Sequence, residues 1–355
     1  MFLDNDVSLL IWIGLISLIA TSMNVKKKET VLGQETERYN MFFAIIVFLP
    51  IFIFVVFSHL RSDMYQYLTN FYNLNESYSD VIKRFFFIFD KNTNGKGFVL
   101  IELLIKQFFG SNEISFRIIT TLLQAIPILL IFRKYSENYL LSVFLFIANS
   151  FFDGWMMNGI RQFIASCIML FILPFLVKRK YIPCLLIVLL ASTIHQAAII
   201  MFPIVFIVLL RPWDYKAIGL FVAFSVVLSV YISNSGDLMN DEILSNDDGA
   251  NPLRPIIAAV PIVLAFIKRK EIEAQNNRLI NILINISVIN FIINIIAVFT
   301  SGVYVGRLPG FTSIYNMILL PYLVTKVYNE KNSKLLTNSM VILYSADFLI
   351  ELYIL

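Results

Sequence analysis

Apolar runs long enough to cross a bilayer recur from one end of this chain to the other. A membrane-spanning helix needs about 20 predominantly apolar residues to cross a hydrocarbon core about 30 Å thick. Of the 355 residues, 58% are hydrophobic and only 15% are charged, whereas soluble domains carry about 25% charged residues. These features exclude a soluble globule and predict an all-α, polytopic integral membrane protein.

The apolar runs predict about 12 membrane-spanning helices in a single transmembrane domain over residues 1–355, because no long polar linker divides the chain. An extracytoplasmic segment is expected at 58–113, with a short amphipathic helix, interfacial or re-entrant, at 98–109. A further outer loop is expected at 234–254, and its acidic residues are typical of a solvated loop. The predicted spans are approximately 7–23, 41–57, 114–132, 139–152, 160–177, 181–193, 196–210, 215–233, 255–267, 277–299, 311–326 and 338–354.

The run 181–210 decides the sidedness of everything that follows it. As one helix it would be roughly 45 Å long, which is more than one span needs. Two short helices that meet near His195 keep the basic cluster at 268–270 on the cytoplasmic side, where positive charge is expected. One long tilted helix would place that cluster outside. The two-helix interpretation is therefore favoured, and it puts both termini on the outer side.

The remaining composition argues against several function classes. Cys167 and Cys184 lie inside apolar runs, which is typical of small core residues rather than of a disulfide or a metal pair. No phosphate-binding glycine loop, dinucleotide turn, HExxH motif or paired CxxC occurs. The net charge of +4 comes mostly from basic residues beside apolar runs, so it indicates topology rather than nucleic-acid binding. No cofactor and no metal is expected.

The stretch NGIRQ, residues 158–162, places Arg161 and Gln162 at the outer start of an apolar helix. Arg254 and Arg307 also precede helices that run from outside to inside. A helix start offers free N–H groups and positive dipole charge, and a guanidinium beside it makes a site for phosphate oxygens. The alternative is that each arginine only anchors its helix at the headgroups. Arg117 lacks polar neighbours and is interpreted as such an anchor.

Other polar residues are candidates for contact with substrate. His195 lies in a long apolar run, where it is either a proton acceptor at an outer vestibule or a core histidine bonded to a carbonyl. The stretch HLRSDMYQY combines Arg61, Asp63, Tyr65 and Tyr67. These residue types suit a sugar, although an ordinary wet loop would also contain them. Acidic Glu102, on the predicted amphipathic helix, is a further candidate for glycan contact.

Several of these motifs together resemble the EpsG family of bacterial exopolysaccharide proteins, which is related to Wzy-type polymerases. The similarity rests first on NGIRQ, its apolar helix and the basic loop 178–180. It also rests on YIPCLLIVLLASTIHQAAIIMFPIVFI, with a histidine between two short apolar runs. The stretch LRSDMYQYLTNFY resembles the family's early Arg…Asp-x-x-x-Tyr segment. Gly97-Phe98 resembles its Gly-Phe element, and VGRLPGFTSIYNMILLPYL resembles its late segment, in which an arginine precedes an apolar span.

The resemblance implies a polysaccharide polymerase in the bacterial cytoplasmic membrane, with its active face outside. Such an enzyme transfers a glycan from an undecaprenyl-pyrophosphate-linked repeat unit to another lipid-linked acceptor. The implied partners are the lipid-linked oligosaccharide, membrane lipids and other polysaccharide-assembly proteins, without nucleic acid.

In this hypothesis Arg161, with Arg254, Arg307 and Gln162, binds the pyrophosphate of the donor. Either Asp63 or His195 takes the proton of the attacking hydroxyl, with a slight preference for Asp63 in its wet segment.

Two other functions fit the same outer arginines. A transporter or flippase of a lipid-linked glycan needs polar residues through the full membrane depth, and the asparagine-rich stretch 276–294 supplies one polar-streaked helix. Packing between helices is the plainer explanation of those asparagines. A glycosyltransferase that uses a lipid monophosphate carrier would differ from the polymerase only in its substrate.

Overall fold

The computed structural model describes residues 7–23, 25–60, 62–87, 95–149, 152–234, 249–302 and 304–353. The chain is mostly helical, as the sequence predicts for an all-α membrane protein. Among the described residues, four helices are long and apolar enough to cross a membrane, and five apolar stretches are shorter. The figure of 12 spans stays a prediction.

The helices of the first half cover most of the predicted apolar runs and add three helices between 58 and 113. They are α1 (Val7–Ser22), α2 (Met41–Phe57), α3 (Ser62–Asn73), α4 (Tyr78–Lys83), α5 (Lys96–Phe109), α6 (Glu113–Tyr135) and α7 (Tyr139–Ile147).

The helices of the second half are interrupted more often. They are α8 (Ile160–Met169), α9 (Leu173–Val177), α10 (Tyr181–Ile194), α11 (Met201–Ile207), α12 (Tyr215–Asn234), α13 (Leu253–Ile267), α14 (Arg269–Gln275), α15 (Arg278–Phe299), α16 (Asn316–Tyr322) and α17 (Glu330–Tyr353). Short 3₁₀ or π segments join several of them, at Phe152–Met156, Leu170–Ile172, Gln196–Ile200, Val305–Phe311, Ser313–Tyr315 and Leu323–Val327.

Asparagine side chains start four of the long helices. The Oδ1 atoms of Asn40, Asn112, Asn138 and Asn277 accept hydrogen bonds from backbone N–H groups in the first turns of α2, α6, α7 and α15. Each bond satisfies a donor that the helix itself leaves free. Local hydrogen bonds therefore stabilise the first turns of these helices independently of tertiary packing.

The segment 26–39 forms a β-hairpin where the sequence indicated only a basic loop. Strand β1 (Lys26–Val31) pairs antiparallel with β2 (Gln34–Tyr39). The two turn residues, Leu32 and Gly33, both have positive φ, at 54° and 85°. A two-residue turn with positive φ at both positions matches the strand twist but usually carries Asn-Gly or Asp-Gly. The leucine hides this turn from a sequence-based prediction.

The segment 58–113 is also more ordered than the sequence indicated. The stretch that begins after α2 was interpreted as a wet loop, but Asp63, Tyr65 and Tyr67 lie on α3. Its three helices pack over one end of the bundle, with α5 against α10 and α6. Helix α5 covers the stretch 98–109, where the sequence predicts an amphipathic helix. Arg61 and residues 235–248 of the predicted acidic loop lie outside the described residues.

The centre of the bundle is built from α8, α15 and α16, whose side chains are mostly buried. Helix α8 packs against α6, α10 and the 3₁₀ segment 305–311, and α15 packs against α13. Both cysteines are free and buried, as the sequence predicts for small core residues. The start of α8, the end of α10 and the segment 305–311 therefore meet beneath α3 and α5.

Candidate functional site

The side chain of Arg161 lies half-buried at the start of α8. Gly159 is the N-cap and supplies no side-chain hydrogen bond to the first turn. Arg161 is the second residue of the helix, and its Nε is buried without a hydrogen-bond partner among the described residues. A helix start of this kind carries partial positive charge. The positive charge of the side chain and that of the helix therefore add at one point.

Gly95 makes the space that the Arg161 side chain occupies. A Cβ placed on Gly95 would lie 2.8 Å from Nη1 of Arg161, and its φ of +83° is a left-handed conformation that suits glycine. The neighbouring Lys96 is buried and pairs with Glu76 at 2.6 Å. This ion pair holds the start of α5 against the guanidinium. In the sequence, the only signal for Gly95 is the dipeptide Asn94-Gly95 before an apolar run, which is typical of a turn.

Gly97 brings α5 directly onto the end of α10. A Cβ there would lie 2.4 Å from Oγ1 of Thr193 and 2.9 Å from its carbonyl carbon. His195 ends α10, and the chain continues as the 3₁₀ segment 196–200. The break that the sequence predicted near this histidine is therefore present, and the small residue of α5 packs against it.

The His195 ring faces two arginines across the site. Its Nδ1 is buried without a hydrogen-bond partner among the described residues, and its ring lies 6.4 Å from that of Phe311. The charges of Arg161 and Arg307 both act on the imidazole. A core histidine bonded to a carbonyl would have a partner for its ring nitrogen and no need of two nearby cations. These observations favour the interpretation of His195 as a proton acceptor at an outer vestibule.

The side-chain amide of Gln162 binds the backbone of Arg307. The side chain is 4% exposed, and its Nε2 donates to the carbonyl oxygen of Arg307 at 2.7 Å. This bond ties the start of α8 to the segment 305–311. Direct contact of Gln162 with pyrophosphate stays a prediction, and the bond adds a link to Arg307, whose own side chain is exposed.

Asp63 and Tyr67 approach the same place from α3. Oδ1 of Asn158 accepts a hydrogen bond from the backbone N–H of Asp63 at 2.9 Å, which joins α3 to the NGIRQ turn. The phenol of Tyr67 reaches the backbone of Arg161, and burial, opposed by the Arg161 charge, raises the pKa of Tyr67. Tyr65, in contrast, is 59% exposed, and no described contact brings it to Arg161.

Glu102 is a buried carboxyl on the inner face of α5. It is 4% exposed. Burial raises the pKa of Glu102 from 4.5 to about 7, although the charges of Arg161 and Lys106 act in the opposite direction. A residue so enclosed does not meet a glycan at the surface. Its place in the site is beside Arg161, where it adds a proton-dependent negative charge. We call Asp63, Tyr67, Glu102, Arg161, His195 and Arg307 the Arg161 cluster.

Arg254 approaches the segment 305–311 from another side. Its exposed side chain points Nη1 toward the carbonyl oxygen of Gly306 at 3.4 Å. It lines a cavity of about 70 Å³ with Trp155, Asn290 and Asn316, and no described residue of the Arg161 cluster lines that cavity. The structure therefore places Arg254 next to the chain that carries Arg307, but not among the groups that face His195.

Arg117 is a structural residue. It is buried, and Nη2 donates to the carbonyl oxygens of Val55 at 3.0 Å and Ser58 at 2.6 Å. It also pairs with Glu113 at 3.5 Å. The guanidinium therefore binds free carbonyls at the end of α2 instead of reaching toward headgroups. Within the described part of the chain, no group of three His, Cys, Asp or Glu residues could hold a metal ion.

The helical bundle and the Arg161 cluster define a polytopic membrane protein with a cluster of polar and charged side chains at one end. The model of the EpsG family matches residues 41–354, nearly the whole chain, and the protein belongs to that family. This membership associates the protein with exopolysaccharide biosynthesis. No curated protein and no solved structure matches the chain.

Proposed function

We propose that this protein is a polysaccharide polymerase of the bacterial cytoplasmic membrane. The donor is a glycan on undecaprenyl pyrophosphate, the acceptor is another lipid-linked repeat unit, and transfer takes place on the outer face. The observation that carries the proposal is the half-buried Arg161 at a helix start without a side-chain cap, whose Nε is buried and has no hydrogen-bond partner among the described residues. Family membership supports the polysaccharide as the class of product.

The reaction breaks the bond between the anomeric carbon of the donor and its phosphate oxygen. The electron pair of that bond goes to the pyrophosphate, so negative charge grows on the leaving group. Arg161, Arg307 and the positive end of the α8 dipole form a preorganised positive site for this charge. Because Arg254 meets the segment of Arg307 at Gly306, we assign it to the edge of this site.

The acceptor hydroxyl oxygen forms the new bond to the anomeric carbon, and its proton passes to a base. Asp63 lies on α3 and is half-buried, and the charges of Arg161 and Arg307 act on His195. Asp63 is the better placed for a glycan that arrives from outside, and His195 for a hydroxyl already close to the pyrophosphate. Tyr65 and Arg61 on the same stretch are proposed to contact the glycan.

The asparagines of α15 do not favour the transport alternative. Nδ2 of Asn285 donates to the carbonyls of Val208 at 3.1 Å and Leu210 at 2.8 Å. Asn290 Oδ1 accepts a hydrogen bond from Thr312 at 3.0 Å. These amides join helices across the bundle, which is the role that polar side chains often have between membrane helices. A continuous polar path through the described residues does not follow from them.

The test is polymerisation in vitro by the purified protein with a defined lipid-linked repeat unit. Losing one charged hydrogen bond costs roughly 1.5–3 kcal/mol, so Arg161→Ala is expected to slow chain growth on the order of ten- to a hundredfold. The control is Arg84→Ala, since Arg84 is an exposed arginine at the end of α4. Unchanged chain growth by Arg161→Ala at equal protein level would overturn the assignment.

The two candidate bases are separated by the same assay. Asp63→Asn and His195→Gln both keep a polar side chain of similar size. The variant that removes the base should lose the pH dependence of chain growth together with most of the rate. If both variants keep the full rate, neither residue is the base.

Translocation of the repeat unit across the membrane without its polymerisation would support a flippase instead.

A further inference from the structure

A second cavity lies at another place in the fold, between α1, the β-hairpin, α7 and α17. It measures about 880 Å³, which is within the range of pockets for small molecules. The family match begins at residue 41, so α1 and the hairpin, which form one side of this cavity, precede the matched region. The Arg161 cluster contributes none of the described lining residues.

One end of the cavity is basic. Lys26, Lys27 and Lys28 of β1 line it and are exposed, while Glu37 of β2 is the one described acidic residue among the lining groups. Nζ of Lys26 lies 5.4 Å from the centre of the Tyr39 ring. Three cations and one carboxylate give this end a net positive charge, which suits an anionic group.

The rest of the cavity is an apolar slot between helices. Its walls include Leu10 and Ile13 of α1, Phe144 of α7 and Val341 of α17. Gly14 also lines it, and a Cβ added to this glycine would meet no atom within 4 Å. The neighbouring Leu18 of α1 is 68% exposed, as expected for a helix that borders hydrocarbon. The slot is therefore open to the membrane along α1.

We propose that this cavity binds one anionic phospholipid, with its phosphate at Lys26–Lys28 and its acyl chains along the slot. A basic pocket beside membrane helices is a known kind of site for acidic lipid headgroups. The ligand must be amphipathic because the cavity is basic at one end and aliphatic along its length. A membrane phospholipid has both parts and is always present around α1. This proposal does not depend on the proposed polymerase activity.

The test is lipid retention by the purified full-length protein, measured by native mass spectrometry in detergent. The probes are phosphatidylglycerol and the zwitterionic phosphatidylcholine. The structure predicts one retained phosphatidylglycerol and much weaker retention of phosphatidylcholine. The triple variant K26Q/K27Q/K28Q should weaken phosphatidylglycerol binding on the order of 100-fold, at roughly fivefold for each lysine. The matched variant K178Q/K180Q, in the exposed basic loop before α10, should bind normally.

A steric variant tests the slot separately from its charge. Gly14→Phe fills the open space beside α1 and should remove the bound lipid. Gly219→Phe places the same ring on α12, at a glycine that also has no atom within 4 Å of an added Cβ, and should not. If Gly14→Phe fails to fold, Thr337→Phe on the opposite wall takes its place. Equal binding of both lipids, or full binding by a folded slot variant, would overturn the proposal.

Discussion

Arginines occur both in the Arg161 cluster and at the hairpin junction, where Arg38 of β2 and Arg133 of α6 join the β-hairpin to α6, but their hydrogen bonding differs. At the hairpin junction, Arg38 pairs with Glu137 at 2.8 Å and donates to the carbonyl of Lys134 at 3.0 Å. Arg133 there pairs with Glu29 and donates to the carbonyl of Tyr39. In the Arg161 cluster, Nε of Arg161 and Nδ1 of His195 have no hydrogen-bond partner among the described residues.

The Nε of Arg117 is likewise buried without a described partner, but its Nη2 binds the carbonyls of Val55 and Ser58. The regions therefore differ in whether groups of the fold hold the guanidinium. Buried polar atoms are nearly always hydrogen-bonded, and each exception needs an explanation. A buried charge whose hydrogen-bond partners are all present helps to specify the fold, and removal of one partner destabilises the protein. A buried donor without a partner costs free energy in the empty site and recovers it when an anion binds. The hairpin junction is therefore structural, and the Arg161 cluster is a candidate for substrate binding.

The largest expected effect is the loss of Arg38. Arg38→Ala leaves Glu137 with one described ion-pair partner, Lys326, which is 3.6 Å away, and should lower the free energy of unfolding by about 2–3 kcal/mol. Arg161→Ala should leave stability unchanged or raise it, because it removes an unsatisfied buried group. Thermal unfolding in detergent measures both. Equal destabilisation by the two variants would remove the distinction between the regions.

The next effect concerns the response of stability to pH. Because the folded protein raises the pKa of Glu102 from 4.5 to about 7, the folded state keeps a proton that the unfolded chain releases. Stability from this group is therefore present below pH 4.5 and is lost as pH rises to about 7. Unfolding temperatures measured across this range should fall for the wild type and change less for Glu102→Gln.

Its control is Glu273→Gln, which replaces an exposed glutamate of α14 and should reproduce the wild-type profile. A Glu102→Gln profile as steep as that of the wild type would show that this carboxyl does not titrate differently in the folded protein.

A smaller effect is expected from Gly95→Ala. The left-handed backbone costs an alanine roughly 1–2 kcal/mol, and its Cβ would also collide with Nη1 of Arg161. Gly33→Ala is a matched control, because Gly33 has a φ of +85° and open space around an added Cβ. Both variants should lose similar stability, but only Gly95→Ala should slow chain growth. Equal chain growth by the two would separate Gly95 from the site.

Periodicity and charge were sufficient to predict most helices and the break at His195, since apolar length and basic clusters depend on local sequence. They also indicated Arg161, His195 and Arg307, which the structure brings together. They did not reveal that α3 replaces a loop, or that Gln162 binds the carbonyl of Arg307. Those features depend on contacts between residues far apart in the chain, such as the bond from Asp63 to Asn158.

The smallest expected effect tests whether Gln162 acts through Arg307. Gln162→Ala removes the bond to the Arg307 carbonyl, worth about 1 kcal/mol, and should slow chain growth about fivefold. Ser166→Ala is its control, because Oγ of Ser166 donates to the carbonyl of Gln162 within α8 at 3.1 Å and does not reach the segment 305–311. If Gln162 only stabilises packing, both variants should lower the unfolding temperature and neither should slow chain growth. A selective loss in Gln162→Ala that Gln162→Glu does not restore would indicate that the donated hydrogen bond, rather than side-chain volume, holds Arg307 in place.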